Sequence, residues 1–223
     1  KRKEEIVTSR VDATDFLLER MKEHASGCKT FISASAIGYY GPDKPGSAPY
    51  DEEAPPHDDF LASTCRKWEA AARRAEDCMR TVILRFGIAL GKDDGVFPQF
   101  ARPQDFGIVP ILGSGKQVIS WIHIDDLCEI IIWALKNNQV KGIFNAVAPE
   151  PVSQKELCKT IAACKKGVKL PVYVPDILLK AGLGELSTEA LKSTTVSAAK
   201  ITNEGFRFQY PDIRTAVRSI LDK

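Results

Sequence analysis

Apolar positions at the start of the chain follow one helical face: Ile6, Val7, Val11, Phe16, Leu17, Leu18 and Met21 recur at the 3.6-residue period. His24-Ala25-Ser26-Gly27 reads as the stop, and Lys29-Thr30-Phe31-Ile32-Ser33-Ala34 as a short strand of the kind buried in a parallel sheet. Residues 38–59 are dense in Gly, Pro, Asp and Tyr and predict a long loop, longer than a connector needs and so a candidate working surface. Phe60 to Glu76 then predicts an Ala-rich helix and Thr81 to Phe86 a second apolar strand. Glycines at 91, 95, 107, 113 and 115 punctuate shorter elements. An extended run over Val118 to Ile124, a helix over Asp125 to Leu135 and a strand over Gly142 to Val147 follow.

Past Pro151 the pattern changes. Ser153-Gln154-Lys155-Glu156 has the spacing of a capping box, opening a helix to about Ala163, and the remainder reads as helix with small strand pieces between prolines. The alternation predicts an α/β fold, a Rossmann-like doubly wound parallel sheet, with a smaller C-terminal α+β lobe. The expected division is 1–150 for the sheet domain and 151–223 for the lobe. Because the chain opens at once in helix, it is expected to be the C-terminal part of a longer protein whose first strands are missing here.

Composition narrows the classes. At 44% hydrophobic and 27% charged residues the chain is globular, and a net charge of +2 with acids and bases interleaved leaves no nucleic-acid footprint. No apolar run is long enough for a membrane span. The six cysteines lack a C-x-x-C pair and read as small buried hydrophobes in a reducing compartment, the cytoplasm. The three histidines have no metal-ligand spacing, so no metal is expected.

Four stretches in order carry a resemblance: Ser33-Ala34-Ser35-Ala36-Ile37-Gly38-Tyr39-Tyr40-Gly41, Phe60 to Glu69, Leu84-Arg85-Phe86-Gly87-Ile88-Ala89-Leu90-Gly91 and Trp121-Ile122-His123-Ile124-Asp125-Asp126-Leu127. Together they resemble the atypical short-chain dehydrogenase/reductases of the "epimerase family", the nucleoside-diphosphate-sugar epimerase-like group, and the likeness runs along essentially the whole chain. It implies NADP or NAD as cofactor and a small-molecule substrate such as a nucleotide sugar. A homodimer is compatible with it. The glycine-rich strand-turn-helix that cradles a pyrophosphate has no match in this sequence, and roughly 70 to 80 residues of βα units are expected upstream.

The family's usual chemistry rests on a Tyr and, four residues on, a Lys that lowers the Tyr pKa. Counting back from Glu69 puts Leu61 at the Tyr position and Cys65 at the Lys position, so that mechanism does not carry over. Both are expected on the inner face of the 60–76 helix rather than in a polar pocket. The resemblance leaves Ser35, at a strand end, with Tyr39 and Tyr40 as catalytic candidates. The tyrosines either take over acid–base work or are wall residues whose hydroxyls find water. Ser33, Ala34, Arg85, Gly87 and His123 are the candidate cofactor-side positions. Arg85, on an apolar strand, needs a carbonyl or anionic partner, which a cofactor or an acidic side chain would supply. His123 either serves the cofactor or bonds backbone at a strand end. Two functions stand open: an NAD(P)-dependent epimerase or oxidoreductase, and an inactive dinucleotide-binding sensor or scaffold.

Overall fold

The computed structural model describes residues 2–24, 27–184 and 186–222. Ala25 and Ser26, expected to end the first helix, lie outside them. Chain order is α1 (Arg2–His24), β1 (Thr30–Ala36), α2 (Phe60–Arg73), β2 (Arg80–Phe86), β3 (Ile88–Leu90), α3 (Phe97–Ala101), β4 (Ile108–Leu112), β5 (Val118–Ile119) and β6 (Trp121–His123). It continues with α4 (Ile124–Lys136), β7 (Gly142–Ala146), β8 (Val152–Ser153), α5 (Gln154–Cys164), β9 (Leu170–Val174), α6 (Asp176–Leu183), α7 (Leu186–Leu191), α8 (Ala199–Asn203) and α9 (Ile213–Asp222).

Three parallel strands form the central sheet in the order β1-β2-β7, with α1 and α2 on one face and α4 on the other. Strand alternation sorts the side chains: on β1, Phe31, Ser33 and Ser35 are buried on one face while Ile32, Ala34 and Ala36 are half-buried on the other. On the first face Phe31 and Ile83 pack against Leu18, Ala72 and Ala75. On the second, Val82, Leu84 and Phe144 pack against Leu127, Ile130 and Ala134 of α4. Each such aliphatic side chain contributes about 1.5–3 kcal/mol on burial. Along α1 the apolar period splits: Leu18 is buried, whereas Phe16 and Leu17 face outward.

The extended run at 118–124 is two strands with different partners. β5 pairs antiparallel with β8, and β6 pairs parallel with β3. Gly87 makes the switch from β2 to β3 possible. A Cβ there would sit 2.6 Å from the Ser120 carbonyl oxygen and 2.8 Å from Val147, so only glycine lets the two backbones approach. Its role in the fold is this close approach.

A second core joins Leu90, Phe97, Phe100, Val109, Ile111 and Trp121 to Leu157, Ile161, Val217 and Ile220. Val196, Ala198, Ile201 and Phe206 return to the core under the sheet. The two packing units therefore interleave: residues 90–121 pack with the C-terminal lobe, and 196–206 pack with the sheet. The linear division at 150 describes chain order rather than packing, because a helix or hairpin joins whichever core its apolar face reaches.

Ser153 caps α5 where the spacing put it, its Oγ accepting from the Glu156 amide at 3.1 Å. The cysteines do not behave uniformly. Cys65 and Cys158 are buried, but Cys28, Cys78 and Cys128 are exposed, which corrects the expectation of six buried thiols. Cys28 lies in the segment before β1, Cys78 in the turn before β2, and Cys128 falls on the outward face of α4. Among the described residues no helix is long and apolar enough to cross a membrane, and no three His, Cys, Asp or Glu side chains group as a metal site.

Candidate active-site cleft

In-register pairing puts Ser35, Arg85 and Asn145 side by side on β1, β2 and β7. All three are buried, and Glu69 of α2 lies over them. Arg85 grips Glu69 in a fork, Nε donating to Oε1 at 2.8 Å and Nη2 to Oε2 at 2.9 Å. Ser35 Oγ donates to the same Oε1 at 2.7 Å. Arg85 Nη1 reaches Tyr40 Oη at 2.8 Å and the Glu52 carbonyl at 3.3 Å, and the Tyr40 hydroxyl donates to Asn145 Oδ1 at 2.6 Å. Tyr39 lies with its ring 3.6 Å from the guanidinium carbon, and Tyr50 stacks on Tyr40 at 5.2 Å. The partner of Arg85 is thus an acidic side chain and its surroundings, the second of the two partners its position called for. Burial opposes its charge, but the Glu69 fork outweighs that and raises its pKa.

Ser35 and Tyr40 therefore have their hydroxyls committed inside a closed network. Burial pushes the Tyr40 phenol up to about 12 against the opposing pull of Arg85, so it does not exchange protons near neutrality. This has a measurable consequence. In the unfolded chain the phenol ionises near its usual value of about 10, so between that pH and about 12 the unfolded state binds fewer protons than the native state and stability falls as pH rises. Urea midpoints measured across this window should lose that component of the slope in Tyr40→Phe. An identical slope in both proteins would show that the phenol is not held as described.

The loop at 38–59, expected as a working surface, is instead clamped to the segment after α7. Asp43 accepts from the Thr195 amide at 2.7 Å and from its hydroxyl at 2.6 Å, and Tyr50 bridges to Val196. Asp59 caps α2 through the Ala62 amide at 2.8 Å and holds His57 Nδ1 at 3.0 Å.

His123 is fully buried at the N-terminus of α4, where its Nδ1 accepts from the Asp125 amide at 3.0 Å and its ring lies 3.9 Å from that of Tyr210. Nδ1 as acceptor places the imidazole proton on Nε2 in the neutral ring. Nearby Asp126 accepts from the amides of Gln209 and Tyr210 at 2.8 and 3.0 Å. The Trp121 to Leu127 stretch thus joins strand, helix start and C-terminal segment, which is a structural task.

Beyond the carboxyl ends of β1 and β2, where ligands bind in open α/β sheets, lies a cleft of about 610 Å³. Its floor is Ala36, Ile37 and Gly38 with Leu61 of α2, and its far wall comes from the 90–121 segment that packs with the C-terminal lobe: Phe100, Pro110, Leu112, Val118 and Ile119. Leu61 is half-buried and lines this apolar space, while Cys65 is buried behind it with its thiol 3.6 Å from the Ala36 carbonyl. Burial and the neighbouring Glu69 raise the Cys65 pKa. Ser35, Tyr39, Tyr40, Arg85 and His123 do not line the cleft, and neither do Ser33, whose hydroxyl bonds the Ala34 carbonyl, or Gly87.

Two charged side chains line it, Glu189 and Lys192, paired at 2.7 Å, with Lys192 Nζ also 4.0 Å from Asp59. The sequence carried no signal for this pair, since Glu189 lies on a short helix far along the chain and Lys192 just past its end. Asn145 did carry one: like Arg85, it is a polar residue on an otherwise apolar strand.

A family model described as "NAD dependent epimerase/dehydratase family" matches residues 1–146, and one for a domain of unknown function matches 174–220. The "Epimerase family protein SDR39U1 homolog, chloroplastic" of Arabidopsis thaliana is 38% identical over 98% of this chain and 63% of its own length, so the chain spans less than two thirds of that relative. "Epimerase family protein YfhF" of Bacillus subtilis is 35% identical over 99% of this chain and 72% of its own. A crystal structure of human "epimerase family protein SDR39U1 (isoform2) with NADPH" superposes with a TM-score of 0.91 at 30% identity, covering 99% of this chain and 75% of that one. With the doubly wound sheet and the cleft at its carboxyl edge, these likenesses make the chain a member of the NAD dependent epimerase/dehydratase family.

Proposed function

We propose that the chain supplies the substrate cleft and the nicotinamide-side floor of an NAD(P)-dependent epimerase or oxidoreductase acting on a small molecule. The observation that carries this is the position of the cleft: it opens at the carboxyl ends of β1 and β2, with small Ala36 and Gly38 and apolar Leu61 on its floor, whereas Ala34 does not line it. A flat ring fits a floor of that kind, so Ala36, Ile37 and Gly38 would hold the nicotinamide end. The described residues include no glycine-rich turn for a pyrophosphate. When bound, the cofactor supplies hydride exchange. The human relative's NADPH supports the phosphorylated form.

The chain's own part is to orient the substrate, exclude water and move a proton. With leucine at 61, cysteine at 65 and the Ser35 and Tyr40 hydroxyls committed elsewhere, the proton-exchanging side chains on the cleft wall are Glu189 and Lys192. Glu189 is the more accessible, its side chain 37% exposed against 10% for Lys192, so it is assigned the proton exchange and Lys192 its positioning.

Backbone amide exchange at Ile37 and Gly38 tests the site. NADPH at millimolar concentration should slow both amides more than AMP does at the same concentration. Equal protection by the two would overturn the placement. The second reading, a dinucleotide-binding sensor or scaffold, draws its support from Leu61 and Cys65 themselves. A homodimer would have exposed Phe16 and Leu17 of α1 to bury.

A further inference from the structure

We infer that the cleft takes an elongated apolar molecule with one carbonyl or hydroxyl group, not a nucleoside-diphosphate sugar. This deepens the functional reading above and rests on it for which end of the cleft holds the reacting group.

Charge is the first ground. A diphosphate needs guanidinium or ammonium groups or free backbone amides to replace its hydration. The walls offer Lys192 alone, and Glu189 already neutralises it at 2.7 Å. Exposed Gln99 apart, the uncharged polar side chains of the walls are also committed to the protein. Gln154 bonds the Pro110 carbonyl at 2.9 Å and the Leu112 amide at 3.2 Å, and Gln117 Nε2 bonds the carbonyls of Leu112 and Ala190. Ser120 Oγ is shared between the Thr194 carbonyl and the Val196 amide. An anionic ligand would lose its water there without replacement.

The second ground is shape. Pro110 and Leu112 of the cleft wall lie on one face of β4, and Ile108 is next along that face. In register beside Ile108 and Pro110 stand Leu170 and Val172 of β9. Ile108, Leu170 and Val172 are 43%, 65% and 45% exposed, a contiguous apolar strip leading out of the cleft. From Leu112 to Ile108 it runs about 13 Å at roughly 3.3 Å per residue. A chain-like tail would lie along the strip, with its single polar head inside, near Gly38 and the Glu189–Lys192 pair.

The test is binding without cofactor or turnover, so its outcome stands apart from that of the NADPH experiment. Methyl-labelled protein is titrated with 2-decanone, 2-butanone and UDP-glucose at equal concentrations and followed by NMR. 2-Decanone should shift the methyls of Leu112, Ile119 and Leu170 saturably, and bind at least about tenfold more tightly than 2-butanone. Val172→Asp, or Ile108→Asp should the first misfold, should weaken 2-decanone about tenfold and leave 2-butanone unchanged. UDP-glucose shifting the cleft methyls where 2-decanone does not would overturn the proposal. So would unchanged 2-decanone affinity in both variants. Dissociation of a dimer by those variants without loss of ketone binding would make the strip an interface and overturn it too.

Discussion

Glu69→Ala is expected to destabilise the protein by about 3–5 kcal/mol, the largest effect of any single substitution considered. Glu69 is 5% exposed and its partner Arg85 1%, so truncating the carboxylate strands a guanidinium that water does not reach. The loss spreads: Ser35 Oγ gives up its acceptor, and the fork that orients Arg85 toward Tyr40 and the Glu52 carbonyl is gone. Arg85→Met placed in the Glu69→Ala background should cost less than the sum of the two single changes, with a coupling of about 1–3 kcal/mol, because the second change removes the stranded charge. Urea unfolding of the four proteins measures this. A single-variant loss under about 1 kcal/mol would mean that the pair is solvated and worth no more than a surface bridge.

The second large effect is on turnover. Glu189→Gln keeps the shape of the cleft wall and removes a proton-exchanging carboxylate, and should cut kcat about 100-fold for any carbonyl substrate reduced with NADPH, while cofactor affinity stays nearly intact. Lys192→Met should act on the same step through Glu189, lowering kcat while KM for the carbonyl substrate stays nearly constant, whereas loss of a merely structural lysine would lower stability and leave kcat in place. Ser35→Ala, whose hydroxyl serves Glu69 inside the fold, should lower stability more than it lowers kcat. If Glu189→Gln turns over as the parent does, the acid–base assignment fails. If neither protein turns over any substrate while NADPH still protects Ile37 and Gly38, the sensor reading takes its place.

Much of the fold can be read from local pattern. The helical period before Gly27, the apolar runs that became β1, β2 and β7, and the Ser153 cap depend on neighbours within a few residues, and their elements formed where that pattern put them. Arg85 announced itself in the same way, since a guanidinium on an apolar strand demands a partner. That leucine stands at 61 and cysteine at 65 on this helix was equally legible, because it is a matter of residue identity. What the partner would be was not: Glu69 lies on another element, and its fork forms only once α2 packs across β1 and β2. The same limit explains Tyr40, placed at the mouth of the sheet by sequence position but turned inward by Asn145 on β7, a residue far along the chain. The cleft walls lie further still from local reach, for β4, β5 and the segment around Glu189 meet β1 only through the interleaving of two cores. Periodicity shows which face of an element is apolar. Which core that face joins, and so which hydroxyls are spent inside and which carboxylate is left facing the cleft, depends on contacts between residues distant in sequence, and only the folded chain decides it.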